Sequence, residues 1–280
     1  MSTRILVKES LIKGTTSKLV LDAPEIARTA KPGHFVILRV NEKGERIPLT
    51  IADTDPEKGT ITIVYLVLGK TTALLESLQA GDSIRDVCGP VGHHTKIEPM
   101  DTVICVGGGT GIAAMHHIAK GHAMAGNKVI GIIGARSHDL LLFENELRSI
   151  VSELYVTTDD GSYGRKGFVT EVLSDLLSQG KNVGEVVAVG PVPMMAAVAK
   201  VTRTFNVKTT VSLNPIMVDG IGMCGACRVT VGGKTKFACV DGPEFDGHQV
   251  DFDELKIRLS AYREQERRSM ELFQGGNNGN

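Results

Sequence analysis

The sequence predicts two folded units of different class joined head to tail, an antiparallel β-barrel and then a doubly wound α/β domain, with a small cysteine-bearing segment and a terminal helix appended. Three observations carry this. Short β-branched runs punctuated by turn formers fill the chain up to Pro99, strands alternate with helix-period runs after it, and three of the five cysteines crowd between Cys224 and Cys239.

Residues 1–98 hold the runs "RILVKES", "SKLVLD", "HFVILRV" and "TITIVYLVL", separated by "KPG", "DPEKG" and "AGD". Runs of this length and composition, bounded by Gly, Pro and Asp, read as antiparallel strands closing on themselves. "TTALLESLQAG" has apolar residues at helical spacing and ends in glycine, so one short helix interrupts the strands.

Residues 99–208 change character. "DTVICVGGGTGIAAMHHIAKGHAMAGNKVIGIIGAR" is an apolar strand, a glycine turn, a helix of small residues and a second apolar strand, which is a βαβ unit. The alternation continues through "ELYVTTDD", "FVTEVLSDLLSQ", "EVVAVG" and "PMMAAVAKVTRTF". Residues 209–250 form the cysteine segment. From Asp251 to 280, "DFDELKIRLSAYREQERRSMELF" resumes helical spacing before a Gly/Asn tail whose composition predicts disorder.

Composition removes several classes of function. With 31 basic and 32 acidic side chains the net charge is -1, so no global field draws in nucleic acid or an anionic membrane. "MSTRILVKES" lacks the apolar core of a secretory signal, and no run approaches the roughly 18 apolar residues that span a bilayer, so the expected location is the cytoplasm. An odd number of cysteines, clustered, favours a metal site over disulfides.

The cysteine segment reads Asp219-x4-Cys224-x2-Cys227-x11-Cys239. The first three positions, with offsets x4 and x2, match the plant-type spacing for a [2Fe-2S] cluster, with aspartate in the first ligand slot. Gly220, Gly222 and Gly225 suit a loop that must wrap a cluster and point backbone N–H groups at its sulfurs. A structural zinc is the competing reading, although one CxxC facing a lone cysteine is not the usual pair of knuckles.

"VICVGGGTGIAAM" contains Gly109-x-Gly111-x-x-Ala114, the G-x-G-x-x-A form of the dinucleotide fingerprint, after a strand and opening a helix. The first glycine would make the turn, the second admit a pyrophosphate, and Ala114 pack the helix on the sheet, with the anion at the helix N-terminus. No acidic residue stands at the usual ribose position; the second strand ends in "GARSHD", offering Arg136 first, which leaves NAD and NADP both open. "TTDDGSYGRKG" and "AVGPVPMM" fall where a parallel sheet presents ligand loops. His93-His94, His116-His117, Cys88 and Cys105 receive packing or solvent roles, since adjacent helical residues diverge by about 100°.

Barrel, glycine turn and cluster segment in this order resemble the ferredoxin-NADP reductase superfamily over nearly the whole chain, in the branch with a C-terminal [2Fe-2S] segment. That branch includes the electron-transfer subunit of dihydroorotate dehydrogenase and the small subunits of sulfide dehydrogenase and of NADH-dependent reduced ferredoxin:NADP oxidoreductase. "ERIPLTIAD" looks like its flavin motif, implying FAD contacts at Arg46, Pro48, Leu49 and Thr50. "YLVLGKTTALL" is similar to its G-x-G-T phosphate loop, implying Tyr65, Gly69, Thr71 and Thr72, with Thr71 replacing the second glycine. The implied nicotinamide-nucleotide contacts are Gly108, Gly109, Thr110, Gly111, Arg136, Asp160, Gly190, Pro191 and Met194.

The resemblance implies an oxidoreductase subunit holding FAD, a [2Fe-2S] cluster and NAD(H), with NADP(H) open. A hydride carries two electrons and the cluster accepts one, so flavin must convert between them, and no side chain need act as acid or base. No second cluster motif is present, so a partner is implied: a larger iron-sulfur flavoprotein subunit in an electron-bifurcating complex, with ferredoxin reached through it. Asp219 tilts the reading toward the ferredoxin:NADP oxidoreductase and sulfide dehydrogenase subunits, because the dihydroorotate dehydrogenase subunit has cysteine there. That last subunit is the alternative of the same class; a zinc-stabilised, non-catalytic nucleotide sensor is the alternative of another.

Overall fold

The computed structural model describes residues 2–277. In the first unit β1 (Thr3–Ile12) and β2 (Thr16–Asp22) form a hairpin, and α1 (Pro24–Thr29) leads to β3 (Phe35–Arg39), β4 (Arg46–Asp55) and β5 (Thr60–Leu66). Helix α2 (Lys70–Ser77), the one predicted from "TTALLESLQAG", precedes β6 (Ser83–Ile84) and β7 (Asp86–Val91). The strand order is β6-β1-β2-β5-β4-β3-β7, all antiparallel. The two edge strands are separated in sequence by Arg85 alone, so the sheet curls until its edges meet and the barrel nearly closes. Ile5, Leu19, Leu21, Leu38, Ile51, Ile61, Ile63 and Leu75 fill its interior.

The second unit runs β8 (Thr102–Gly108), α3 (Gly111–Met124), β9 (Lys128–Ala135), α4 (Glu144–Arg148), β10 (Glu153–Thr158), β11 (Arg165–Lys166), α5 (Val169–Ser178), β12 (Glu185–Val189), α6 (Val192–Thr204) and β13 (Thr209–Ser212). Helices cover both faces of the sheet, which is why every residue of β8 and β12 is buried and their sequences are apolar after Thr102 and Glu185 at their first positions. The order β11-β10-β9-β8-β12-β13 places the reversal of winding at β8. Ligand crevices form outside the carboxyl ends of strands at such a point.

The remaining elements are β14 (Arg228–Val231), β15 (Lys234–Phe237), α7 (Ala238–Asp241), β16 (Glu244–Asp246), α8 (Phe252–Leu259) and α9 (Arg263–Asn277). Gly232 and Gly233, with φ of 58° and 72°, make the two-residue turn between β14 and β15. The sequence pattern puts the change of unit at 209, yet β13 extends the parallel sheet and β16 returns to pair antiparallel with it through Val211 and Phe245. The cysteine segment is thus a loop thrown out from one sheet edge. One terminal helix was expected and there are two, broken at Ser260–Tyr262; α9 takes in Gly275–Asn277 of the expected tail, whose last three residues lie outside the described residues. Among the described residues no helix is long and apolar enough to cross a membrane.

Candidate cofactor cleft and ligand loop

A cleft of about 370 Å³ separates the barrel from the α/β unit. Its barrel wall carries Pro48, Leu49, Thr50 and Tyr65; the facing wall carries Gly108, Gly109, Thr110, Gly111, Gly190 and Pro191. The fold therefore brings ten predicted contact residues to one opening. Gly109 makes the turn at φ 55° with open space beside it. Gly111 is closed in: a Cβ there would stand 2.5 Å from the Val189 carbonyl oxygen and 2.7 Å from Gly190 Cα. Its missing side chain lets two loops touch backbone to backbone. Met194 seals the same junction, since a Cβ on Gly108 would meet its Sδ at 2.5 Å.

The other predicted contacts, Arg46, Gly69, Thr71, Thr72, Met194, Arg136 and Asp160, do not line this cleft. Arg46 is exposed at the start of β4. At α2, Thr72 Oγ1 accepts the N–H groups of Leu68 and Gly69 at 3.0 and 3.1 Å, which fixes the turn, and buried Thr71 donates to Glu45 at 3.0 Å. That bond tethers Thr71 to the residue just before Arg46 at the start of β4. Tyr65 donates to Glu76 at 2.6 Å, and burial pushes its hydroxyl well above the usual tyrosine range. Arg136 and Asp160 are outside the cleft lining, at the ends of β9 and β10, where the Asp160 N–H donates to the Arg136 carbonyl at 3.2 Å. His138 stacks on Tyr163 in the same place, with ring centroids 4.3 Å apart.

The cleft is also lined by Phe35, Ala52, Val64, Ser212, Leu213, Asn214, Met217 and Pro243, which sequence reasoning missed. "SLNP" follows a parallel strand, and that position alone could have drawn attention to Ser212–Asn214. The others come from far along the chain and have no local signal.

Met217 leads from the cleft directly into the ligand loop. Three N–H groups hold Asp219: Ile221 donates to Oδ1 at 3.0 Å, Met223 and Cys224 to Oδ2 at 3.1 and 2.6 Å. These bonds, the Ile221 one foremost, lower its carboxyl below the ordinary aspartate range. Cys227 and Cys239 lie with their sulfurs 3.2 Å apart and unlinked. Burial, then the Cys227 thiol, pushes the Cys239 thiol up to about 12, so a metal must displace a proton there.

The four donors form two pairs, Asp219 with Cys224 and Cys227 with Cys239, and among the described residues no three gather as one ion requires. Gly220, Gly222 and Gly225 all have positive φ, and a Cβ on Gly220 would lie 2.6 Å from Ile37. The Ala226 N–H points at the Cys224 sulfur at 3.5 Å. A carboxylate and three thiols in two pairs, with backbone N–H groups turned toward sulfur, fit a two-iron cluster better than a single zinc.

Comparison with known proteins agrees with this geometry. Residues 214–251 match the iron-sulfur cluster binding domain of dihydroorotate dehydrogenase B, and residues 105–200 match the oxidoreductase NAD-binding domain. The chain is 49% identical to the dihydroorotate dehydrogenase B (NAD(+)) electron transfer subunit homolog of Thermotoga maritima over 96% of this chain and 94% of that one. It is 34% identical to the electron transfer subunit of Geobacillus thermodenitrificans, covering 88% and 96%. The chain belongs to the dihydroorotate dehydrogenase B electron transfer subunit family. Among solved structures, one of NADH-dependent reduced ferredoxin-NADP oxidoreductase, concerned with flavin-based electron bifurcation, superposes with a TM-score of 0.92 at 48% identity over 98% of both chains. A ferredoxin NADP+ reductase of Neisseria gonorrhoeae shares the fold alone, at 16% identity, a TM-score of 0.59 and coverage of 73% and 91%.

Barrel wall, glycine loops and ligand loop follow one another across the molecule, joined at Met217 and Leu213.

Proposed function

We propose that this chain moves electrons between NAD(H), an FAD in the barrel and a [2Fe-2S] cluster on the Asp219–Cys239 loop, to or from a larger iron-sulfur flavoprotein subunit. The complex is an electron-bifurcating NADH-dependent ferredoxin:NADP oxidoreductase. The observation that carries it is the cleft in which the barrel strand Pro48–Thr50 faces the Gly108–Gly111 turn, with Met217 running from that cleft to the ligand loop. The relation to the bifurcating complex, and aspartate at 219, favour this partner over a dihydroorotate dehydrogenase catalytic subunit; the match of residues 214–251 is what keeps the latter as the second reading.

An FAD held along Arg46, Pro48, Leu49 and Thr50 would supply the conversion between a two-electron hydride and single electrons. The chain's residues do the rest. Gly109 leaves the α3 N-terminus open to a pyrophosphate, Gly111 seats that turn against Val189 and Gly190, and Arg46 offers its guanidinium to the flavin phosphates. Pro48, Leu49 and the ring of Tyr65 present an apolar wall that excludes water from the meeting point of the two rings. Asp219, Cys224, Cys227 and Cys239 hold the metal centre.

The test is to purify the chain under argon with whatever copurifies, record its flavin and iron-sulfur spectra, and add NADH. Bleaching of the flavin followed by the paramagnetic signal of a reduced iron pair is expected. Bound flavin that NADH leaves oxidised would overturn the reading, and dihydroorotate-dependent reduction would transfer it to the second one.

A further inference from the structure

The flavin strand and the nucleotide helix are joined by a clasp of side chains that nothing in the fingerprint motifs calls for. Three successive residues of β4, just past the predicted flavin contacts, meet α3: His117 Nδ1 donates to the Ile51 carbonyl at 3.0 Å, His116 lies against the Ala52 backbone, and Lys120 pairs with Asp53 at 2.8 Å. The first bond has a structural origin. In an antiparallel ladder Ile51 and His34 would exchange two bonds, and Ile51 does donate to the His34 carbonyl at 3.1 Å. The His34 N–H turns instead to Lys31, at 3.2 Å, so His34 gives the Ile51 carbonyl no donor in return. A bulge at Ala52 displaces β4 from β5 at the same point.

His117 supplies the missing donor. A carbonyl can only accept, so the proton sits on Nδ1 and the tautomer is fixed. The ring is buried, with 4% of its surface exposed, and is surrounded by His34, His116, Lys120 and Asp53. Next to it Ala52, Val64 and Ala113 form a small apolar cluster that bridges the two units, and all three line the cleft. The clasp therefore stands one residue from the opening where the proposed ring-to-ring contact occurs, and it sets the gap between the walls.

We infer that His117, supported by the Lys120–Asp53 pair, is a positioning residue for hydride delivery: it fixes the distance between the nicotinamide-bearing helix and the flavin-bearing strand. This rests on the function proposed above. Hydride transfer is steep in distance, since a misplacement of about 1 Å costs on the order of 100-fold in rate.

The decisive variants are His117→Leu, which removes the donor at similar volume, and His117→Asn, whose amide nitrogen lies the same number of bonds from the backbone as Nδ1. Flavin-loaded protein is mixed with NADH in a single-turnover experiment. Expected for His117→Leu are unchanged flavin content and NADH affinity with a limiting reduction rate lower by roughly 10- to 100-fold, and for His117→Asn recovery to within about three-fold of the parent. A rate for His117→Leu within about two-fold of the parent overturns the inference, as does an Asn variant no better than Leu.

Amide hydrogen exchange on the same proteins needs no redox turnover. Faster exchange over residues 49–53 and 111–117 in the Leu variant, restored in Asn, supports the clasp even if NADH fails to reduce the parent's flavin, in which case the functional reading alone is lost. Unchanged exchange in all three proteins removes the clasp. Should His117→Leu not fold, Lys120→Met supplies the same two measurements with a smaller expected loss.

Discussion

The cleft and the ligand loop solve the problem of holding a redox group in opposite ways. The cleft is lined by residues spread from Phe35 to Pro243 and owes its shape to two sheets, backbone contacts and small side chains. The ligand loop is one stretch of chain, and the donors of Asp219 through Cys227 are organised by N–H groups of that same stretch. A loop can be ruined by one atom at a ligand. A cleft is ruined by one atom at a junction.

Cys239→Ser sharpens that contrast most. It should abolish the visible iron-sulfur absorbance, with iron falling from about two per chain to well under one, while flavin content stays as in the parent. Parallel loss of flavin and iron would show that the two regions are not independent. Gly111→Val comes next: its side chain has no room beside Val189 and Gly190, so a cost of about 1–3 kcal/mol in stability is expected, with loss of NADH affinity and retention of iron. Thermal unfolding and NADH titration check it.

Between the regions lies a pair of opposed titrations. Burial, then His94, lowers His34 to about 4, so stability from that group is present above the ordinary histidine value and is lost as pH falls from 6.5 to 4. Burial raises Glu244, which accepts from Thr95 at 2.7 Å, to about 7, so its share is present below the ordinary carboxyl value and is lost as pH rises from 4.5 through 7. The two slopes oppose each other in the parent. Glu244→Gln removes the opposing one and leaves that of His34 together with those of His116, His117 and His122, also lowered by burial, so stability measured by denaturant should fall by about 3 kcal/mol or more between pH 6.5 and 4. A flat profile in the variant would refute this balance.

The smallest expected effect belongs to Tyr65→Phe, which removes a donor from Glu76 but keeps the ring in the cleft wall. About 1 kcal/mol of stability should go, read by denaturant unfolding.

Much of the α/β unit was legible because its signals are local. β8, α3 and β9 were readable from an apolar run, a glycine turn and a helix of small residues, and α2 from its spacing. The ligand loop was legible for the same reason, a spacing within one loop. The unit boundary was less so: β13 is four residues long and β16 pairs with it from beyond the last of the cysteines, so nothing near 209 marks the sheet as continuing. Gly111 was read as an approach point for pyrophosphate, and its contact with Val189 could not be foreseen, since that strand arrives from another part of the chain.

His116 and His117 show the same limit most plainly. On the sequence they are neighbours on a helix that point about 100° apart, which argues against a shared task. The structure lays β4 along α3 with the Ile51 carbonyl given no donor by His34, and both rings then reach one strand. The sequence by itself determined which elements form, where the turns need glycine and which segment carries donors of the kind iron takes, because periodicity, φ and donor chemistry act over a few residues. Only the tertiary structure decided which walls face each other and which carbonyl is left for His117, because those depend on pairings between residues far apart in the chain.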